Sequence, residues 1–95
     1  MTLSLRQIRY FTATAESGQV SQAAINLSIS QSAVTTAIKE LEETVGAVLF
    51  ERTPHGMELT TAGRRLLAQA YEILQKVDEM TQLSVVPNTV KGTLT

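Results

Sequence analysis

Between Val20 and Gly46 the chain reads VSQAAINLSISQSAVTTAIKELEETVG, two helical patterns with only a few residues between them. The second pattern has one apolar and one short polar face. On a wheel turning about 100° per residue, Ile38, Leu41 and Val45 fall within roughly 40° of Val34, whereas Ser32, Thr36 and Lys39 fall opposite. One face anchors the helix and the other is free to meet a partner. Ser30 supplies an N-cap and Gly46 a C′ residue, so both ends are marked. Two helices joined this tightly, the second with a free polar face, suit a protein that reads DNA with a helix.

The flanking segments extend this unit. Ser4 and Gln7 have capping-box spacing, Leu5, Ile8, Phe11 and Ala15 form an apolar stripe, and Gly18 closes a first helix predicted over Leu5 to Ser17. A short helix follows from Ser21 to Leu27, in which Ala23 and Ala24 permit close helix approach. The turn Ser28, Ile29, Ser30 leads into a third helix, Gln31 to Val45. Beyond Gly46 the period changes to two. Val48 to Glu51 alternate, Thr53 to Gly56 make a turn, and Met57 to Leu59 alternate again, which predicts a short β-hairpin. Thr60 then caps a long helix over about Thr61 to Ser84. Its apolar positions Leu66, Ala70, Ile73, Val77 and Met80 step by four and three, the period of a coiled-coil seam, and are assigned to a dimer interface. Pro87 and Asn88 stop this helix. Val90 to Thr95 read as extended chain with no partner strand, which suggests the start of a further domain; a flexible tail on a small protein is the other reading.

Composition narrows the chemistry. The chain has 95 residues, no cysteine and a single histidine. Disulfides, thiolate metal sites and cysteine nucleophiles are excluded, and a reducing cytoplasm is the expected location. No Gly-rich phosphate loop or separated pair of clustered carboxylates is present, so a non-enzyme with no metal and no cofactor is expected. No run approaches the ~20 apolar residues of a membrane span, and no membrane partner is expected. Charge points the other way from DNA: eight Lys and Arg against nine Asp and Glu give a net charge of −1, whereas a basic patch is the usual footprint. The distribution softens this, because Glu40, Glu42 and Glu43 lie toward the C-terminal half of the third helix and Lys39 with the hydroxyl residues toward its N-terminal half.

Helix, short helix, turn, reading helix, hairpin and long helix make a mainly α winged helix-turn-helix followed by a linker helix. The segments LRQIRYFTATAESGQVSQAA, LSISQSAVTTAIKELEETVGAVLFER and GMELTTAGRRLLAQAYEIL carry a resemblance to the N-terminal DNA-binding domain of LysR-type transcriptional regulators. The resemblance covers about residues 3 to 75 in order. It implies residues 3–60 as the winged domain, 61–86 as a dimerising linker helix, and 87–95 as the hinge into a C-terminal domain that senses a small-molecule effector. It also implies double-stranded DNA as partner and a homodimer or tetramer as the assembly.

The resemblance assigns roles within the expected interface. Gln31 stands where the family commonly has a base-contacting Gln, and its amide suits a bidentate contact with adenine; the bland alternative is decoration of the helix end. Ser32 replaces a frequent Pro and Thr36 a frequent Arg, and Ala37 stands in place of Gln. The reading face is therefore short, suited to thymine methyls or phosphate at Thr35 and Thr36 rather than to guanine. Arg52 corresponds to the family's phosphate or minor-groove arginine, and His55 occupies the wing tip where relatives often carry Arg. From residue chemistry alone, Ser21 and Gln22 open a helix and suit phosphate, Ser30 lies beside them as a cap, and Lys39 meets a phosphate or else pairs with Glu43. Arg6 and Arg9 read mostly as solvated surface. A rival reading is a winged-helix module that binds protein through its acidic surface.

Overall fold

The structure is a computed structural model and describes residues 2–83. Its elements run α1 (Leu5–Ser17), α2 (Val20–Leu27), α3 (Gln31–Val45), β1 (Phe50–Thr53), β2 (Gly56–Leu59) and α4 (Thr61–Gln82). The expected end at Ser84, the remainder of the linker to residue 86 and the hinge 87–95 lie outside the described residues.

Local chemistry explains the helix bounds. Ser4 accepts the N–H of Gln7 while the Gln7 side chain accepts the N–H of Ser4, completing the capping box of α1. Ser30 accepts the Ala33 N–H and fixes the start of α3. Helix α2 begins one residue earlier than its polar start suggested, at Val20. Its other end carries a feature the sequence does not announce. Ser28 sits in the left-handed region at φ 59°, and the Ile29 N–H reaches back to the Ala24 carbonyl at 3.0 Å, closing a Schellman turn without glycine. That sharp stop turns the chain directly into Ser30 and α3.

The core lies where the three helices meet. Phe11, Val34, Leu41 and Ala23 are fully buried, and Phe11 meets Phe50 of β1 with ring centroids 5.4 Å apart and planes at 53°. Burying Phe, Leu and Val side chains contributes about 1.5–3 kcal/mol each. Two threonines are buried with them, Thr12 and Thr14, and each satisfies its hydroxyl by donating to the carbonyl one turn back. Leu5 and Val45, assigned to apolar stripes from the sequence, are exposed. Both lie in terminal turns that outrun the core.

The hairpin is antiparallel and pairs Phe50 with Leu59, Arg52 with Met57 and Thr53 with Gly56, leaving Pro54 and His55 as a two-residue loop. Thr53 holds that loop by accepting the His55 N–H and donating to the Gly56 carbonyl. The wing is fastened to the helices at two places. Met57 N–H donates to the Gly18 carbonyl at 2.8 Å, and the carboxylate of Glu42 on α3 accepts the N–H of buried Leu49 at 2.8 Å.

Helix α4 is seated through Thr60. Its hydroxyl donates to the Val48 carbonyl and accepts the Gly63 N–H, while its own N–H donates to Leu49. Gly63 permits this approach, since a Cβ there would lie 2.2 Å from the Leu49 carbonyl oxygen. The expected seam divides. Ala70 is 1% exposed against the chain's own core, and Leu66, Leu67 and Leu74 also pack there. The assignment of Ala70 to a dimer interface is therefore corrected: no part of it is left for a partner. Leu66 is half-buried within the chain and belongs mainly to the same internal contact. Ile73, Val77 and Met80 remain at least partly open. A four-three period reports an apolar face but does not say which subunit covers it.

Candidate nucleic-acid interface

Helix α3 stands as a ridge with a hollow on each side. On one flank, Ser21 of α2, Gln31 and Thr35 of α3, and Arg52 and His55 of the wing line a single concave surface of about 420 Å³. Residues far apart in sequence, on three elements, thus face one volume. The Met57–Gly18 and Glu42–Leu49 bonds hold its walls, since they join the wing to the α1–α2 turn and the loop before the wing to α3.

Donor chemistry dominates this surface. The N-cap position of α2, Gln19, makes no side-chain cap bond, so the N–H groups that open this helix are not engaged by a capping side chain and favour an anion. Gln31, Thr35 and Arg52 are exposed, and among the described residues no internal hydrogen bond commits their side chains. Lys39 lies one turn farther along α3, on a groove that Thr35, Arg52 and Glu42 also line. It does not pair with Glu43: among the described residues the ion pair is Lys76 with Glu79 at 3.5 Å.

The other expected site residues are placed differently. Ser30, Ser32 and Thr36 line the opposite hollow, together with Arg6 and Tyr10 of α1. Ser32 lies 3.1 Å from Ser30, hydroxyl to hydroxyl, so its side chain is partly committed to the cap. Gln22 donates to Asn26 at 2.9 Å along its own helix and lines neither hollow. Ala37 is buried and leaves the reading face entirely. Gln19, Pro54 and Met57 join the first hollow, which no sequence signal indicated: Pro54 and Met57 come with the hairpin, and Gln19 from the turn before α2 against which Met57 is tied.

The acids are largely drawn away. Glu42 is spent on Leu49, and Glu40 accepts from the Gln7 amide at 3.3 Å. Glu51 and Glu58 face each other across the hairpin, and the period of two puts them on the opposite face from Arg52 and Met57. Net charge therefore understates how donor-rich the concave side is.

Among the described residues no helix is long and apolar enough to cross a membrane. Comparison with known proteins agrees with the geometry. The chain is 42% identical over 92 residues to the HTH-type transcriptional regulator CzcR of Bacillus thuringiensis subsp. konkukian, covering 97% of this chain and 32% of that protein. It is 49% identical over 72 residues to the HTH-type transcriptional regulator ClcR of Pseudomonas putida, covering 76% of this chain and 24% of that one. The chain thus spans about a third or less of the length of these relatives. Among solved structures, the crystal structure of the CbnR_DBD–DNA complex superposes with a TM-score of 0.81 at 39% identity, over 86% of this chain and 94% of that one. The sequence pattern described as "Bacterial regulatory helix-turn-helix protein, lysR family" matches residues 5–64, the span that builds the three helices, the wing and the seat of α4, and the chain belongs to that family.

Proposed function

We propose that this chain is the sequence-specific, double-stranded-DNA-binding part of a transcription regulator. Residues 3–60 read the DNA, 61–86 pair two copies, and 87–95 lead into a domain through which a small-molecule effector acts, the full protein being a dimer or a higher assembly in the cytoplasm. The observation that carries this reading is the concave surface shared by Ser21, Gln31, Thr35, Arg52 and His55. The relative solved on DNA supports it.

In this reading α3 enters the major groove, Gln31 and Thr35 meet base edges, and the N-terminus of α2 and Arg52 meet phosphate. Two copies joined through the open face of α4 place two reading helices in successive major grooves about 34 Å apart. The chain's work is recognition and positioning, with no catalytic step.

Selection of bound sequences from a random duplex pool tests the proposal. A site with dyad symmetry is expected, with binding lost when Gln31 and Thr35 are replaced by Ala while the dimer persists. The net charge of −1 favours a second reading, a protein-docking winged helix; unchanged DNA behaviour in the double variant, or no enriched duplex at all, would establish it over the first.

A further inference from the structure

The proposed reading uses the hollow between α3 and the wing and leaves its counterpart unassigned. That second hollow, about 380 Å³, lies between α1 and α3, with Arg6 and Tyr10 on one wall and Ser30, Ser32, Thr36 and Glu40 on the other. A helix lying in a major groove about 12 Å wide has a phosphate strand along each flank. With α2 and Arg52 on one flank, the other strand runs past this hollow.

We infer that Arg6 and Tyr10 form a second phosphate-binding wall, which holds the DNA strand across the major groove from the strand held by α2 and the wing. The inference rests on the DNA-reading function proposed above. Arg6 is exposed, and among the described residues its guanidinium enters no ion pair or hydrogen bond; the Tyr10 hydroxyl likewise has no internal partner. The hollow opens at the N-terminal end of α3, whose first turn holds no acid, so the helix end adds attraction for an anion. Thr36 is short enough to leave the space open.

Glu40 is the carboxylate on these walls, and it limits where phosphate sits. It lies eight residues beyond Ser32, about 12 Å along the helix axis at 1.5 Å per residue, and the Gln7 amide holds it. Gln7 adjoins Arg6, so Arg6 enters the hollow from the Glu40 side, and the anion seat lies between the Arg6 guanidinium and Ser32, away from that carboxylate. Arg9 shares α1 with Arg6 but does not line the hollow, which makes it an internal control.

The test is the salt dependence of binding by the intact chain to a duplex selected by the wild type and to an unrelated duplex. Arg6→Gln should flatten the slope of log affinity against log salt by about 0.9, the share of one phosphate, and weaken both duplexes by the same factor. Tyr10→Phe should weaken both without changing the slope, and Arg9→Gln should match the wild type. A wild-type slope in Arg6→Gln overturns the inference, and so does a loss confined to the selected duplex, since that marks base reading. Matching thermal melts show that the variants fold. If the wild type enriches no duplex from the random pool, the DNA-reading function itself has failed, a result distinct from failure of the Arg6 wall alone.

Discussion

The main-chain N–H of Met57 donates to the carbonyl oxygen of Gly18 at 2.8 Å, tying the second wing strand to the turn between α1 and α2. Gly56 makes that approach feasible. Its φ is 123°, and a Cβ there would lie 2.5 Å from the same Gly18 oxygen. Gly56→Ala should therefore cost about 1–3 kcal/mol of stability through strain and clash, read as a lower urea midpoint. His55→Ala, at the exposed tip, should leave the midpoint unchanged.

Glu42 joins the reading helix to the loop before the wing by accepting the N–H of Leu49, which is 1% exposed. Removing the acceptor strands a buried donor. Glu42→Ala should cost about 1–3 kcal/mol in chemical denaturation, and Glu42→Gln, which keeps an oxygen in place, should cost less. Equal losses in the two variants would show that the acceptor oxygen is not what matters.

Tyr71 on α4 donates its hydroxyl to Glu16 on α1 at 2.8 Å. That hydrogen bond, with smaller contributions from desolvation and the Glu16 charge, raises the phenol above its ordinary value of 10.0. An acid whose folded pKa is raised adds stability that is complete below the unfolded value and disappears as pH climbs through the folded one. Ultraviolet titration in a Tyr10→Phe background should give a midpoint above 10, lowered by Glu16→Gln. The link between α1 and α4 should weaken only in that alkaline range.

Two neighbouring positions on α4 should respond in opposite ways. Ala70 is packed inside the chain, so Ala70→Leu should lower thermal stability by about 1–3 kcal/mol through overpacking while leaving assembly unchanged at a fixed chain concentration. Ile73 is 37% exposed, and Ile73→Asp should give monomers in light scattering with little change in melting of the winged unit. A persisting Ile73→Asp dimer would place the interface elsewhere.

The limits of α1 and α3 were legible because their stop and start signals are local: Ser4 with Gln7, Gly18, Ser30 and Gly46 each act within one turn. The hairpin was legible from its change of period. What escaped was long-range or ambiguous in kind. Ser28 adopts a left-handed turn usually given to glycine, so its residue type does not announce the stop. Ala70 and Ile73 belong to one heptad pattern but to different environments, because a period describes a face and not its cover. Arg6 reads as a solvated residue from the sequence, and only the packing of α1 beside α3 shows that it lines a hollow with Ser30, Ser32 and Thr36.

On the outer face of α3, Gln31, Thr35, Thr36 and Lys39 are all exposed, and the frame that holds the helix takes nothing from them: it relies on Val34, Ile38, Leu41, Ser30 and Glu42. Letters and frame are thereby separated within one fifteen-residue helix. The four outer positions can therefore be substituted one at a time through intermediates that all still fold.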